Sequence, residues 1–317
     1  MRIKNRMKQF DHKQFVSVII PVFNGSSYLE ETISSIQQSS YRHFEIILVD
    51  DGSTDTSKII CKRLEKKYKN VRFFSFNKNK GLGRVLNFAI QKAKGEYICR
   101  INQDDRMYKY RVQKQVQFLE KNKDVVVVGS WIKYFRNNSN ETEILKFLET
   151  DEQIKKIWLM LSPFADPSVM YRKKAVLTAG GYEQKFWPAD DVHLWYRVGR
   201  LGKLANIQQP LVEVRLHEKA ASMKFLRKDI VKTFKLHLWA HENVQNATWY
   251  IFIFWACQLI AGYILPAETN WRVYRVIKKL IDKAYTFKVR FFTKTNQPTI
   301  IAKPVSKNPA KLRLSGT

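Results

Sequence analysis

Two acidic edges are the residues of this sequence best suited to chemistry. Asn102-Gln103-Asp104-Asp105 follows the apolar run 96–101, and Asp50-Asp51 follows the apolar run 44–49. A strand that ends in clustered carboxylates sets hard oxygen donors at the carboxyl edge of a sheet, where open α/β sheets bind their ligands. An apolar core cannot satisfy such groups. They suit a divalent cation, Mg²⁺ or Mn²⁺, and a lightly held cation of that kind draws phosphate oxygens. Together the two edges point to a nucleotide-diphosphate site.

The elements that must position these edges alternate. Residues 16–22 form a near-continuous apolar run that reads as a buried strand, with Phe23-Asn24-Gly25 as the loop after it. Ser26 or Ser27 is placed to cap a helix whose apolar face carries Leu29, Ile33 and Ile36. Strands follow at 44–49, 71–76 and 96–101. A helix to about residue 68 and another at 81–93 separate them. This order predicts a parallel sheet with crossover helices. Beyond Asp105 the pattern loosens. Helices are expected at 111–119, 150–160 and 189–200, short strands at 125–128, 168–171 and 210–216, and a polar loop at 137–143.

Three segments in order, Val16-Ser17-Val18-Ile19-Ile20-Pro21-Val22-Phe23-Asn24, then 44–55, then Asn102 to Asp105, resemble a family-two glycosyltransferase over roughly residues 15–222. The resemblance implies a GT-A fold, an α/β architecture with a Rossmann-like, mostly parallel sheet flanked by helices. It implies transfer of a sugar from a nucleotide-diphosphate donor to a hydroxyl, with inversion and a divalent metal. It also implies site residues. Pro21, Phe23, Asn24, Asp50 and Asp51 would lie at the nucleotide, Asp51 foremost. Helix capping is the plain alternative for the acidic pair, and Ser53 and Thr54 fit that role better. Similar enzymes have Asp-x-Asp where this chain has Asn102-Gln103-Asp104. Asp104 matches the metal ligand, with Asp105 as helper or cap and Asn102 on the ribose or a phosphate. Asn keeps an acceptor but loses the charge.

In Asn79-Lys80-Gly81-Leu82-Gly83-Arg84 the glycines resemble a phosphate loop at a helix start, from which Lys80 or Arg84 would reach the base or diphosphate. Asp190-Asp191 resembles the family's Glu-Asp motif, which implies Asp191 as the catalytic base beside Asp190. His193 is expected to be structural or an acceptor contact. Asp166 and Pro167 would line the acceptor pocket. Arg215-Leu216-His217 resembles the closing Arg-x-His segment, with a cation toward the leaving diphosphate.

Residues 226–317 hold sixteen Lys or Arg against four acids, and 248–266 carry no charge. Nineteen helical residues would extend about 28 Å, near the roughly 30 Å of bilayer hydrocarbon. A single crossing would export a tail with twelve basic residues at 268–317, against the positive-inside tendency. The expectation is an interfacial or re-entrant hairpin, with 272–290 on an anionic membrane surface. A single pass and a buried helix are the alternatives.

The expected domains are a basic lead at 1–14, the GT-A domain at 15–225, a helical, aromatic and basic membrane-associating region at 226–296, and a basic tail at 297–317. A net charge of +28 favours a polyanionic neighbour. Three unpatterned cysteines and a basic, non-apolar start fit a reducing compartment, hence the cytoplasmic face of a membrane. A glycan or lipid-linked acceptor would be the partner. One rival is a catalytically weak relative acting as a glycan-assembly scaffold, suggested by Asn102. The other is a nucleic-acid-binding protein, suggested by charge alone and opposed by the absence of any reading motif.

Overall fold

A computed structural model describes residues 14–217 except 138, and 226–281 except 267, 268 and 271. The basic lead up to residue 13, the residues from 282 and the tail 297–317 lie outside the described residues.

Strands β1 (Val16–Val22), β2 (Phe44–Asp50), β3 (Val71–Ser75) and β4 (Tyr97–Arg100) run parallel in the order β3-β2-β1-β4. Helices α1 (Leu29–Gln37), α2 (Ser57–Lys67) and α3 (Leu82–Lys92) connect them. β1 and β2 are apolar along their length because both faces are covered. Val18, Ile20, Ile46 and Leu48 pack with Leu29, Ile33 and Leu64 of α1 and α2. The alternate residues Ile19, Ile47 and Val49 pack with Val85 and Ala89 of α3. Leu29, Ile33 and Ile36 are buried as expected, but neither Ser26 nor Ser27 caps α1. Tyr28 holds the cap position without a side-chain bond.

The sheet continues through β8 (Met170–Arg172), β6 (Val125–Arg136), β9 (Lys203–Arg215) and β5 (Arg106–Met107). β8 runs antiparallel to β4 and β6, whereas β6 and β9 are parallel. Three expectations fail here. The strand expected at 125–128 is twelve residues long, and the loop expected at 137–143 is mostly β7 (Ser139–Leu145), hairpinned onto β6. β7 is an exposed, polar edge strand, so it carries no apolar alternation to read. β9 is likewise longer than 210–216, because its polar Gln208-Gln209-Pro210 stretch sits at a register shift that bends the pair.

Helix α4 (Arg111–Lys121) precedes β6, and α5 (Asp151–Ile157) opens with a reciprocal capping box between Thr150 and Gln153. A 3-10 turn at Asp166–Ser168, helix α6 (Lys173–Thr178), a second turn at Gln184–Phe186 and helix α7 (Asp190–Val198) follow. Helices α8 (Leu226–Asn243) and α9 (Trp249–Ile264) and a helical segment at 272–281 close the described chain.

α9 packs on the domain rather than standing apart. Trp255 is buried, donates its Nε1–H to the Leu159 carbonyl at 2.6 Å and stacks on His237. Gly262 lets α8 approach, since a Cβ there would lie 2.4 Å from Ile230. At sixteen residues α9 extends about 24 Å. No helix among the described residues is long and apolar enough to cross a membrane, so the single-pass alternative finds no support in them.

Register gathers the site. Val22 lies level with Asp50, and Ile19 with Arg100, so the loops after β1, β2 and β4 emerge together at the carboxyl edge.

Candidate active site

A cavity of about 2120 Å³ opens at that edge. Pro21, Phe23 and Asn24 line it, as do Asp51, Asn102, Asp104, Asp191 and His217. Local hydrogen bonds fix each loop. Gln103 clamps the turn after β1, accepting from Phe23 N at 2.8 Å and donating to Phe23 O at 3.0 Å. Asn24, at φ +50°, accepts from Thr54 N at 2.9 Å. Gly52, at φ +72°, turns the chain beneath Lys78, whose backbone would lie 2.6 Å from a Cβ, so only glycine fits there.

Three acidic doublets were expected to act, and in each the two carboxylates have different surroundings. Asp50 is fully buried and accepts weakly from Ser53 N at 3.3–3.4 Å. Its neighbour Asp51 reaches the cavity wall and accepts from Lys80 N at 2.6 Å and Gly81 N at 3.0 Å. Burial raises the Asp51 pKa, and those two amides work against the rise. Each oxygen keeps a second lone pair for a base N–H.

Three amides around the start of α3 are therefore already occupied. Asp51 takes Lys80 N and Gly81 N, and Gln184 Oε1 accepts from Gly83 N at 3.1 Å. The expected phosphate loop is closed by an internal carboxylate, and Arg84 is exposed on the outer side of α3. Asn79 and Gly81, rather than Lys80 or Arg84, line the cavity.

In the second doublet Asp105 is buried. Its Oδ1 accepts from Arg215 N at 3.0 Å and its Oδ2 from Asn102 Nδ2 at 2.7 Å. Burial, then the charge of Asp104, pushes its pKa up. Asp105 borders the cavity as well, and its two bonds brace the loop between Asn102 and Arg215. Asp104 faces the cavity, and its Oδ2 lies 2.8 Å from His217 Nε2. Asn102 explains itself in this setting: its carbonyl accepts from Arg100 and its amide donates to Asp105. A carboxylate at 102 could accept from Arg100 but would repel Asp105.

In the third doublet Asp190 is buried against Gly83, and its Oδ2 has no hydrogen-bond partner among the described residues. Asp191, one step along the first turn of α7, lines the cavity. Burial, then the charge of Asp166, pushes the Asp190 pKa up to about 7 from 3.8. A carboxyl whose folded pKa is raised contributes stability that is fully present below its unfolded pKa and lost as pH rises through the folded one. Asp190→Asn cannot ionise. Its melting temperature relative to wild type should therefore climb between about pH 4 and about pH 8, by roughly 5 °C or more. A thermal-denaturation series across pH checks this, and a flat difference would contradict the buried-acid assignment.

Arg215 lines the cavity, with its guanidinium held by protein partners. It donates to the Asp104 carbonyl at 2.9 Å, pairs with Glu31 and Asn137, and lies between the Tyr28 and Phe135 rings at 4.4 and 4.5 Å. It clasps the end of β9 onto the 104–105 loop. His193 is structural: it is buried between Phe186 and Trp239, and burial, with help from Arg197 and Lys185, lowers its pKa to about 3.

The sequence reading missed Arg100. This buried cation pairs with Asp166 at 2.7 Å. Burial opposes its charge, but Asp166, Asp105 and Asp191 outweigh that and raise its pKa. Its signal was a lone arginine inside the apolar run 97–101. Asp166 and Pro167 line the cavity as expected.

The donor set at Asp104 and His217, a carboxylate oxygen with an imidazole nitrogen, suits Mn²⁺ and, less well, Mg²⁺. Among the described residues no cluster of three His, Cys, Asp or Glu could hold a metal. Such an ion would need phosphate and water oxygens to complete its shell, as Mg²⁺ does at phosphoryl sites.

Residues 17–179 match the family model for glycosyl transferase family 2. An Escherichia coli UDP-Gal:alpha-D-GlcNAc-diphosphoundecaprenol beta-1,3-galactosyltransferase is 28% identical over 211 residues, covering 66% of this chain and 76% of the relative. The chain spans only 35% of a Rickettsia conorii glycosyltransferase that is 29% identical to it. Among solved structures, S. aureus TarS with UDP-GlcNAc superposes at a TM-score of 0.56 and 16% identity, over 89% of this chain and 93% of the other. A Pyrobaculum calidifontis mannosyltransferase solved with GDP-Man and Mn²⁺ superposes at 0.56 and 17% identity, over 88% of each chain. These two likenesses concern the fold, a mixed α/β sheet of GT-A type. By its sequence match across more than half its length, the chain belongs to glycosyl transferase family 2.

Proposed function

We propose that this glycosyltransferase moves a sugar from a nucleotide-diphosphate donor to a hydroxyl of a lipid-linked glycan, with inversion, at the cytoplasmic face of a membrane. The observation that carries the reading is one cavity walled by Asp51, by the Asp104–His217 pair and by Asp191. Phe23, exposed at the mouth, and Asn24, Asn79 and Asp51 form the wall for the nucleoside. Asp104 and His217 would hold Mn²⁺ or Mg²⁺. When bound, the ion neutralises charge on the donor diphosphate. Asp191 accepts the proton of the acceptor hydroxyl. The acceptor oxygen attacks the anomeric carbon opposite the diphosphate. The carbon–oxygen bond to the diphosphate breaks, and its electron pair stays on the phosphate oxygen.

The name of the Escherichia coli relative supports a diphospholipid-linked sugar as acceptor class. The exposed apolar side of α9 supports contact with a membrane surface. The scaffold alternative loses its motive, since Asn102 is explained by its two hydrogen bonds.

Thermal shift with a panel of UDP-, GDP- and dTDP-sugars, with and without Mn²⁺, tests this. One nucleotide class should stabilise the protein, and more strongly with metal. A ligand at about a hundred times its Kd adds roughly 2.7 kcal/mol. A folded protein that answers to no donor would return the scaffold reading.

A further inference from the structure

The cavity is larger than its donor requires. Small-molecule sites occupy roughly 300–1,000 Å³, and this one holds about 2120 Å³. The excess has a distinct character. The cavity is also lined by the 272–281 segment, α8, α9 and the β6–β7 hairpin, where Ile230, Phe234, Phe254, Leu259, Ile277 and Phe147 supply apolar wall and the buried Lys278 sits 4.4 Å over the Phe147 ring. A sugar diphosphate has no use for such walls, whereas a hydrocarbon chain does.

α9 gives that arm its direction. Phe254, Trp255 and Leu259 line the cavity, while Trp249, Ile253, Ile260, Tyr263 and Ile264 are exposed on the outside. Trp249 and Ile264 are 74% and 73% exposed. A helix that is apolar all round and only half covered by protein fits an apolar medium on its other side. At about 24 Å it is too short to cross a bilayer but able to lie in its interface. Basic residues Arg272, Arg275 and Lys279 follow in the next helical segment, and Glu143 of β7 pairs with the latter two.

We infer that the apolar arm binds the hydrocarbon chain of the acceptor's lipid carrier, with α9 as the wall between the membrane interface and the catalytic cavity. This rests on the proposed function and adds a second subsite to it. The chain enters past α9, and the sugar it carries reaches Asp191. Recognition is then shared between a sugar-diphosphate end and a polyprenyl end. A short-chain acceptor would lose the second part.

The test uses the full-length protein and a long polyprenyl phosphate bearing a diazirine, photolysed and mapped by mass spectrometry. Labels are expected on the cavity-facing residues of α8, α9 and 272–281. Unlabelled polyprenyl phosphate should displace them and inorganic phosphate should not. Leu259→Glu should cut this labelling about tenfold, since a charge opposes the apolar chain. Ala261→Trp, which fills the arm without charge, should do the same if Leu259→Glu proves unstable. Both variants should keep the donor-induced thermal shift of wild type. Labels confined to Ile253, Ile260 and Ile264, or labelling unchanged in a folded variant, would overturn the chain-binding arm. A normal donor shift alongside that result would leave the glycosyltransferase reading standing, whereas loss of the donor shift in wild type would remove the reading itself.

Discussion

Asp191→Asn should lower sugar transfer by roughly 10²–10⁴-fold while leaving donor binding close to wild type. The amide is nearly isosteric, so it keeps the cavity wall and the bond from Val192 N to the side chain at 2.8 Å. It removes only the oxygen that can take a proton. Asp191 lines the cavity, but the wall proposed for the nucleoside comes from the loops after β1, β2 and β3, so the donor-induced thermal shift should persist. The neighbouring Asp190 is the internal comparison. It faces Gly83 inside the protein, so Asp190→Asn should keep the rate within about tenfold of wild type and alter mainly stability. Initial rates of nucleoside diphosphate release, with the donor that the panel selects, separate the two variants. If Asp190→Asn were the dead variant and Asp191→Asn the active one, the base would have to be reassigned and α7 would have to rotate on substrate binding.

The acidic doublets show how far sequence reaches. Asp50-Asp51 and Asp104-Asp105 were legible as edge residues because each follows an apolar run, and Asp190-Asp191 through its resemblance to the family's Glu-Asp motif. Which member faces the cavity was not. Adjacent residues on a loop or a first helical turn point in different directions, and the choice depends on partners far away in the chain. Asp105 is engaged by Arg215, more than a hundred residues later, and Asp51 by the amides of Lys80 and Gly81. The same distance hid the role of Arg215, whose partners Glu31 and Asn137 come from α1 and the end of β6. Strands β1, β2 and β4 were plain because burial on both faces leaves a nearly continuous apolar run. β7 escaped because an exposed edge strand is built from residues that also make loops.

Asp104→Ala and His217→Ala should each remove the metal-dependent part of donor stabilisation, while the metal-independent part remains. The two side chains meet at 2.8 Å in the cavity and come from different ends of the domain, the loop after β4 and the segment after β9. In the proposed site two protein ligands would share the ion with phosphate and water, so the loss of either should weaken Mn²⁺ binding by about 100-fold. Asp105→Asn should behave differently. Its oxygens accept from Asn102 and from Arg215 N, so the change should cost stability more than metal affinity. Asn102→Asp sharpens the comparison, since it restores the family's acidic triplet but sets a second carboxylate against Asp105, whose pKa already lies above the ordinary aspartate value. Repulsion there should lower stability above neutral pH, where Asp105 would be driven to share a site with another charge. Mn²⁺ titration followed by thermal shift, with the selected donor present, measures all four variants. Retained metal response in His217→Ala together with its loss in Asp105→Asn would move the metal to the inner carboxylate and would require the 102–105 loop to open before the donor binds.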